Sequence, residues 1–153
     1  MTLPDELNKF LLQFGGIITT AQANKVGVSN QRLRLLVKSR ELEQVSHGVY
    51  SSADGFVDKM YVFQLRRPKI IYSHETALFL HGLTDRDPIR YSVTVPRGYS
   101  TVRLREDGLT VFTVKRILHG LGSEQIETVF GHKITTYGLE RTICDSIRSR
   151  NQM

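Results

Sequence analysis

The chain has 153 residues, of which 40% are hydrophobic and 24% are charged, as is typical of a globular protein with one or two small domains. This composition excludes a collagen-like chain, a long coiled coil and a disordered tail. A chain of this length buries roughly 68–70% of the surface that its unfolded form exposes, so its core needs no disulfides. Cys144 is the single cysteine and favours a reducing compartment, so we expect a cytoplasmic protein.

The pattern of charge indicates neither export nor membrane insertion and favours a polyanionic partner. Asp5 and Glu6 stand where a secretory signal would carry basic residues, and no apolar run reaches the ~18 residues that a spanning helix needs. Lys and Arg number 21 against 15 Asp and Glu, which gives a net charge of +6. Nucleic acid is the first candidate partner for such a chain.

Residues 1–52 are predicted to form three short helices followed by a hairpin. The apolar residues of the first helix recur at helical spacing and end before Gly15: Leu3, Leu7, Phe10, Leu11 and Phe14. The second helix begins with a capping box of Thr19 and Gln22 and ends at Gly27.

Ser29 can cap a third helix. The buried face of that helix would hold Leu33, Leu36 and Val37. Two helices joined by a tight glycine turn are typical of a helix-turn-helix.

A second feature of this region is a hairpin directly behind the third helix, with strand-like runs at 42–45 and 49–50 around the turn-forming residues 46–48. A hairpin in this position is a wing. Residues 29–40 include four basic residues and no acidic one, whereas the rest of the first 52 residues includes two basic and four acidic ones. The positive charge is therefore concentrated where the third helix would meet DNA.

We expect the third helix to enter the major groove. Its Asn and Gln side chains can form bidentate hydrogen bonds to adenine, and its arginines can bind guanine. Basic residues at its carboxyl end, and a histidine on the wing, would contact phosphates or the minor groove. The predicted DNA-contacting residues are Ser29, Asn30, Gln31, Arg32, Arg34, Lys38, Arg40 and His47. The alternative is a basic helix face that is merely solvated.

From residue 53 onward the pattern predicts a mixed α/β domain. Helices are expected at 56–65, at 74–81 between a Ser73 cap and Gly82, and at 139–147. Strands are expected at 89–95 and 109–114, and a hairpin is expected to pair 127–130 with 133–137 across Gly131 and His132. The predicted fold class is α+β, with a winged helix-turn-helix domain at 1–52 and a small mixed α/β domain at 53–153.

The polar residues of the second half form no recognisable catalytic motif. His74 and His81 are seven residues apart, whereas a metalloprotease helix needs two histidines four apart with a glutamate between them. Cys144 falls in an apolar helical pattern and is expected to be buried and structural rather than a nucleophile. Charged residues of the last helix would form ion pairs on an exposed face, or alternatively a functional cluster: Glu140, Arg141 and Asp145. We expect no enzyme activity, no cofactor and no metal.

Several short segments, taken in order along nearly the whole chain, carry a family resemblance. They are 16–20 (GIITT), 31–37 (QRLRLLV), 47–50 (HGVY), 73–78 (SHETAL), 81–83 (HGL), 93–96 (VTVP) and 139–145 (LERTICD). Together they resemble the AbiEi family of antitoxins. Candidate residues for the function of the antitoxin domain lie in these segments: Ser73, His74, Glu140, Arg141 and Asp145.

The resemblance implies a bacterial protein encoded beside a nucleotidyltransferase-like toxin, in a type IV toxin–antitoxin system associated with abortive infection by phage. In that family the amino-terminal winged helix binds inverted repeats in the operon's own promoter and represses it. The implied partners are therefore double-stranded DNA, bound by two copies of the protein, and the toxin, which is countered without a stable complex. Family members usually extend beyond the helix with the Glu-Arg-Thr motif, so we expect either a second domain that is incomplete at its carboxyl end or a short member of the family.

Two functions of other classes remain as alternatives. The second domain could process nucleic acid or nucleotides with the winged helix as a docking arm, which predicts clustered carboxylates or a metal in a pocket of residues 70–145. The winged helix could instead bind a protein, which predicts weak and sequence-indifferent binding to DNA.

Overall fold

The computed structural model describes residues 5–13, 15–52 and 57–150, apart from the side chains of residues 6 and 10. The chain is an α+β protein, as the sequence predicts. By compactness it divides into a first unit, Met1–Val62 with Thr128–His132, and a second unit, Phe63–Glu127 with Lys133–Met153. The functional division into 1–52 and 53–153 stays a prediction. Over the described ranges, no helix combines the length and apolar character needed to cross a membrane.

The first unit contains the three predicted helices and the predicted hairpin, together with one further short strand. The elements are α1 (Asp5–Gln13), β1 (Ile17–Thr19), α2 (Thr20–Lys25), α3 (Asn30–Lys38), β2 (Leu42–Ser46) and β3 (Val49–Ser52). The strands form an antiparallel sheet in the order β1-β3-β2. Strand β1 was not predicted, because three residues are too few to show an alternating pattern.

The core of the first unit is built from the apolar faces of α1, α2 and α3 packed with residues of the sheet. Its buried members are Leu7, Leu11, Ile18, Ala23, Val28, Leu33, Leu36, Leu42 and Tyr50. The predicted positions Leu33 and Leu36 on α3 are fully buried, and Val37 packs beside them. On α1, Leu7 and Leu11 are buried as predicted. The predicted residues Leu3 and Phe14, and the side chain of Phe10, lie outside the described residues.

A distant segment, Thr128–His132, completes the first unit through the buried carboxylate of Asp58. This carboxylate accepts hydrogen bonds from the Thr128 hydroxyl and from Nδ1 of His132, the latter over 2.8 Å. The Tyr61 ring stacks on the His132 ring with 4.2 Å between centroids.

Gly15 has a φ of +68°, and a Cβ there would collide with the His132 ring. Glycine is therefore required at this position both for its backbone conformation and for its size.

The second unit is a five-stranded mixed sheet with short helices. The chain enters it within α4 (Lys59–Arg66). The elements that follow are β4 (Ile71–Tyr72), α5 (His74–Leu80), β5 (Ser92–Pro96), α6 (Val102–Glu106), β6 (Thr110–Val114), α7 (Arg116–His119), β7 (Ser123–Glu127), β8 (Lys133–Tyr137) and α8 (Leu139–Arg148). The strand order is β6-β5-β4-β8-β7. The β5–β6 and β4–β8 pairs are parallel, and the β4–β5 and β7–β8 pairs are antiparallel.

Two strand predictions in the second half were wrong in position. The predicted strand at 89–95 begins only at Ser92. In the predicted hairpin the second strand is correct, but the first is β7, and residues 128–132 form the connection instead. The reason is that the Thr128 hydroxyl accepts hydrogen bonds from the backbone N–H groups of Phe130 and His132, which folds these residues into a loop rather than a strand.

We expect Asp58→Ala to lower the free energy of unfolding by about 2 kcal/mol, because it removes the buried carboxylate that accepts hydrogen bonds from the Thr128 hydroxyl and the His132 ring. Urea unfolding followed by circular dichroism measures the change. Asp85→Ala, at an exposed loop position, is the control. Equal losses in the two variants would show that the Asp58 cluster does not stabilise the unit.

Candidate functional site

Helix α3 exposes a polar and basic face on the side opposite its buried leucines. The exposed predicted DNA-contacting residues of this segment are Ser29, Asn30, Gln31, Arg34, Lys38 and Arg40, and Arg32 is partly buried. In the described part of the chain, none of the four basic side chains forms an ion pair. We call these seven residues the α3 face. No acidic side chain of the described residues forms an ion pair with this face.

The position of α3 is determined by caps and a tight turn after α2. The Thr19 hydroxyl accepts from the Gln22 backbone N–H over 3.2 Å, and the Gln22 side chain accepts from the Thr19 N–H over 3.0 Å, so the predicted capping box is confirmed. Gly27 has a φ of +87° in the turn between the helices. The Ser29 hydroxyl accepts from the Arg32 N–H over 3.1 Å and caps α3 as predicted. Ser29 therefore has a structural role at the helix end.

The carboxyl end of α3 places Arg40 in the left-handed conformation, with a φ of 65°. The Arg40 N–H donates to the Val37 carbonyl and the Glu41 N–H to the Leu36 carbonyl, each over 3.0 Å. This pair of bonds defines a Schellman motif, in which glycine usually occupies the position of Arg40. A residue with a Cβ there costs conformational energy. The chain thus carries a basic side chain at a position where glycine would be more stable.

The β2–β3 hairpin brings one further predicted residue to the surface of the first unit. His47 is exposed at the turn of the hairpin. The Thr20 N–H donates to the Gly48 carbonyl over 2.9 Å, and β3 pairs with β1 just before α2. The hairpin turn is therefore attached to the start of α2, within the same unit as the α3 face.

In the second unit, Arg141 and Asp145 form a buried ion pair. The Arg141 Nε donates to both carboxylate oxygens of Asp145, over 3.1 and 3.0 Å, and Arg148 donates to the same carboxylate over 2.9 Å. The Arg141 Nη1 donates to the carbonyls of Leu118 and Leu121, and its guanidinium lies 4.2 Å from the centroid of the Tyr137 ring. The predicted pair is thus formed, but on the buried side of α8 rather than on an exposed face.

Cys144 is exposed, which corrects the prediction of a buried structural cysteine. The buried residues of α8 are Thr142 and Asp145, so the helix is oriented by its polar contacts. As a consequence, Ile143 and Ile147 are 45% and 65% exposed. The apolar residues of α8 therefore predicted the wrong face of the helix as the buried one.

Ser73 follows β4 and His74 is the first residue of α5, and both residues are buried. Ser73 occupies the N-cap position of α5, as predicted, but its hydroxyl forms no capping hydrogen bond with the helix. Instead it accepts from the Thr94 hydroxyl over 2.8 Å and lies 2.9 Å from Nδ1 of His74. The His74 ring stacks on Phe112 with 3.7 Å between centroids. Burial lowers the pKa of His74, the Asp145 carboxylate opposes this shift, and the nearby arginines add to it.

The structure brings together some of the antitoxin-domain candidates but not all. His74 and Asp145 line one cavity, and Ser73 holds His74. Glu140 is exposed and forms no hydrogen bond or ion pair with the described residues. Sequence reasoning missed Thr94 and Phe112, since no local pattern links strands β5 and β6 to a histidine on α5. Within the described ranges, no group of three or more His, Cys, Asp or Glu is placed to hold a metal ion.

Comparison with known proteins defines the class of the amino-terminal part. Residues 5–53 match a family of transcriptional regulators. The family is described as "Transcriptional regulator, AbiEi antitoxin", and the match confirms the resemblance to AbiEi antitoxins over these residues. No curated protein shows a significant match.

Among solved structures, the chain is similar to the RV2827C protein from Mycobacterium tuberculosis. The TM-score is 0.52 at 13% sequence identity, over 74% of this chain and 46% of that one. The chain therefore spans less than half the length of that protein. At this level of identity the similarity concerns the fold alone.

We expect Arg40→Gly to raise the free energy of unfolding by about 1 kcal/mol, because glycine adopts a positive φ without the cost of a Cβ. Urea unfolding measures it. The matched control is Arg40→Ala, which removes the same charge but keeps the Cβ, and which should not be stabilised. Equal stability of Arg40→Gly and Arg40→Ala would contradict the assigned strain.

A second expectation concerns the ionisation of Tyr137. Burial raises the pKa of this residue to about 12. Tyrosine in an unfolded chain has a pKa of about 10. Between these two values the unfolded chain loses a proton that the folded chain keeps, so the free energy of unfolding falls as pH rises. We expect a smaller fall in Tyr137→Phe, measured by urea unfolding at about pH 9 and pH 11. Equal pH dependence in both proteins would show that Tyr137 ionises alike in the two states.

Proposed function

We propose that the first unit is a winged helix-turn-helix DNA-binding domain and that the protein represses transcription of its own operon. The observation that carries the proposal is the α3 face, whose basic side chains have no ion-pair partner among the described residues. The match of residues 5–53 to regulator antitoxins supports it. The operon would be a type IV toxin–antitoxin system of the abortive-infection kind.

In this proposal the amino end of α3 reads bases and its carboxyl end binds the DNA backbone. Asn30, Gln31 and Arg34 are exposed near the start and middle of the helix and have the side chains that pair with adenine and guanine edges. Lys38 and Arg40 would contact phosphates, and His47 on the hairpin would contact the minor groove or a phosphate. Arg32, being partly buried, has less freedom to reach a base. Two copies would bind the two halves of an inverted repeat.

The proposal extends to residues 53–153 as the antitoxin domain, which would counter a nucleotidyltransferase-like toxin without forming a stable complex with it. The family description supports an antitoxin role in general terms. Ser73, His74, Arg141 and Asp145 are the residues of this domain that the fold brings to a common region. Glu140 remains a candidate only as an exposed residue of α8.

The test of DNA binding is a fluorescence-anisotropy titration against the duplex upstream of the protein's own reading frame, with a scrambled duplex beside it, at two salt concentrations. We expect Arg34→Ala to weaken binding to the native duplex by about 1–3 kcal/mol and to reduce discrimination between the duplexes. Lys38→Ala should weaken binding to both duplexes alike and reduce the salt slope by about one unit.

Lys9→Ala, an exposed lysine on α1 outside the α3 face, is the matched control and should leave both affinities unchanged. If Arg34→Ala and Lys38→Ala behave like this control, α3 is not the reading helix. Weak binding that is equal for both duplexes in the unmodified protein would instead favour a protein-interaction module.

A further inference from the structure

The second unit contains a cavity of about 370 Å³ that DNA binding by α3 does not use. The residues that give it its chemistry are His74, Arg97, Arg105, Phe112, Asp145 and Arg148. They come from α5, β6, α6 and α8 and from the segment after β5, so only the tertiary fold brings them together. Cavities of roughly 300–1,000 Å³ are typical of sites for small molecules.

The His74 side chain offers this cavity a hydrogen-bond donor. The Ser73 hydroxyl accepts from the Thr94 hydroxyl, and in one tautomer of the His74 ring it donates to Nδ1. With Nδ1 accepting, the proton of the neutral ring lies on Nε2. Nε2 is buried and has no hydrogen-bond partner in the described part of the chain. A buried donor without an acceptor is rare, because it costs about 1–3 kcal/mol.

The backbone of His74 is strained in a way that fits a functional role. Its φ is 51°, in the left-handed region, although it is not a glycine. Strain of this kind persists only where surrounding contacts enforce it, and it clusters at binding sites. The Ser73 hydroxyl and the stacked Phe112 ring contact the His74 side chain at this position. The charges of Asp145 and Arg148, which line the cavity, are also close enough to affect the pKa of the ring.

The charge of the cavity is strongly positive. Three arginines line it against a single carboxylate, that of Asp145. That carboxylate is already bound by Arg141 as well as by Arg148, so it does not neutralise Arg97 or Arg105. A phosphate monoester carries about −1.5 to −2 charges at neutral pH, which matches this excess. Arginine binds phosphate with two parallel hydrogen bonds.

We propose that this cavity binds the phosphate group of a small phosphorylated molecule, with His74 Nε2–H as a buried donor and Arg97, Arg105 and Arg148 as the cationic walls. His74 is 3% exposed, so the backbone of a DNA duplex does not reach it, which favours a small ligand. The proposal is independent of DNA recognition by the first unit.

The test uses the whole chain and inorganic phosphate as the probe, at constant ionic strength maintained with chloride. NMR follows the His74 ring signals, assigned through their contacts with the Phe112 ring. We expect a saturable shift of Nε2 with phosphate and with ribose 5-phosphate, and a much weaker response to acetate. Tighter binding of ribose 5-phosphate than of phosphate would show that the organic part of the ligand is also bound.

The matched variants are Arg105→Ala and Arg103→Ala, which lie on the same helix, α6, while only Arg105 lines the cavity. We expect Arg105→Ala to weaken phosphate binding about tenfold, the equivalent of about 1.4 kcal/mol, and Arg103→Ala to leave it within about twofold. Arg97→Ala, also exposed, provides a second variant with the same expectation as Arg105→Ala. The proposal is overturned by the absence of a saturable shift, by equal affinity for acetate, or by equal effects of the α6 variants.

Discussion

Burial of Leu33 and Leu36 against α1, α2 and the small sheet determines which side of α3 is free. Because α3 is only nine residues long, two buried side chains are enough to orient it, and the polar side chains then face solvent together. The caps at Ser29 and Arg40 determine where the helix begins and ends. The basic face thus depends on the apolar packing beneath it, and at Arg40 a basic side chain occupies a left-handed position where glycine would be more stable.

In the second unit, an ion pair determines which side of helix α8 is buried. The Arg141–Asp145 pair is buried, and Arg141 also binds two backbone carbonyls and stacks on Tyr137. The directional hydrogen bonds of this pair orient α8 more strictly than apolar contacts would, although Nη2 of Arg141 is buried without a hydrogen-bond partner among the described residues. This orientation keeps Asp145 and Arg148 beside His74. The cavity therefore depends on the pair even though Arg141 does not line it.

The elements that sequence predicts best are those with local signals. Helices α2 and α3 combine side-chain caps with apolar spacing, and both were located almost to the residue. Strands β1 and β4 and helices α6 and α7 have two to five residues each, which is too few to show a hydrophobic periodicity. The α3 face could be predicted because one helix carries it. The surroundings of His74 could not, because Phe112 and Thr94 reach it from strands distant in sequence. Cys144 was misplaced because hydrophobicity alone does not reveal a helix that buries an ion pair.

The attachment of Thr128–His132 to the first unit affects how the protein is made. Asp58 is synthesised about seventy residues before His132, its hydrogen-bonding partner. While the ribosome is still translating the second unit, the first unit therefore lacks part of its final structure, and the Asp58 carboxylate is open to water. The helices and hairpin of residues 5–52 form early, because their contacts are local. Completion of the first unit therefore requires that residues 128–132, and with them most of the second unit, have been translated.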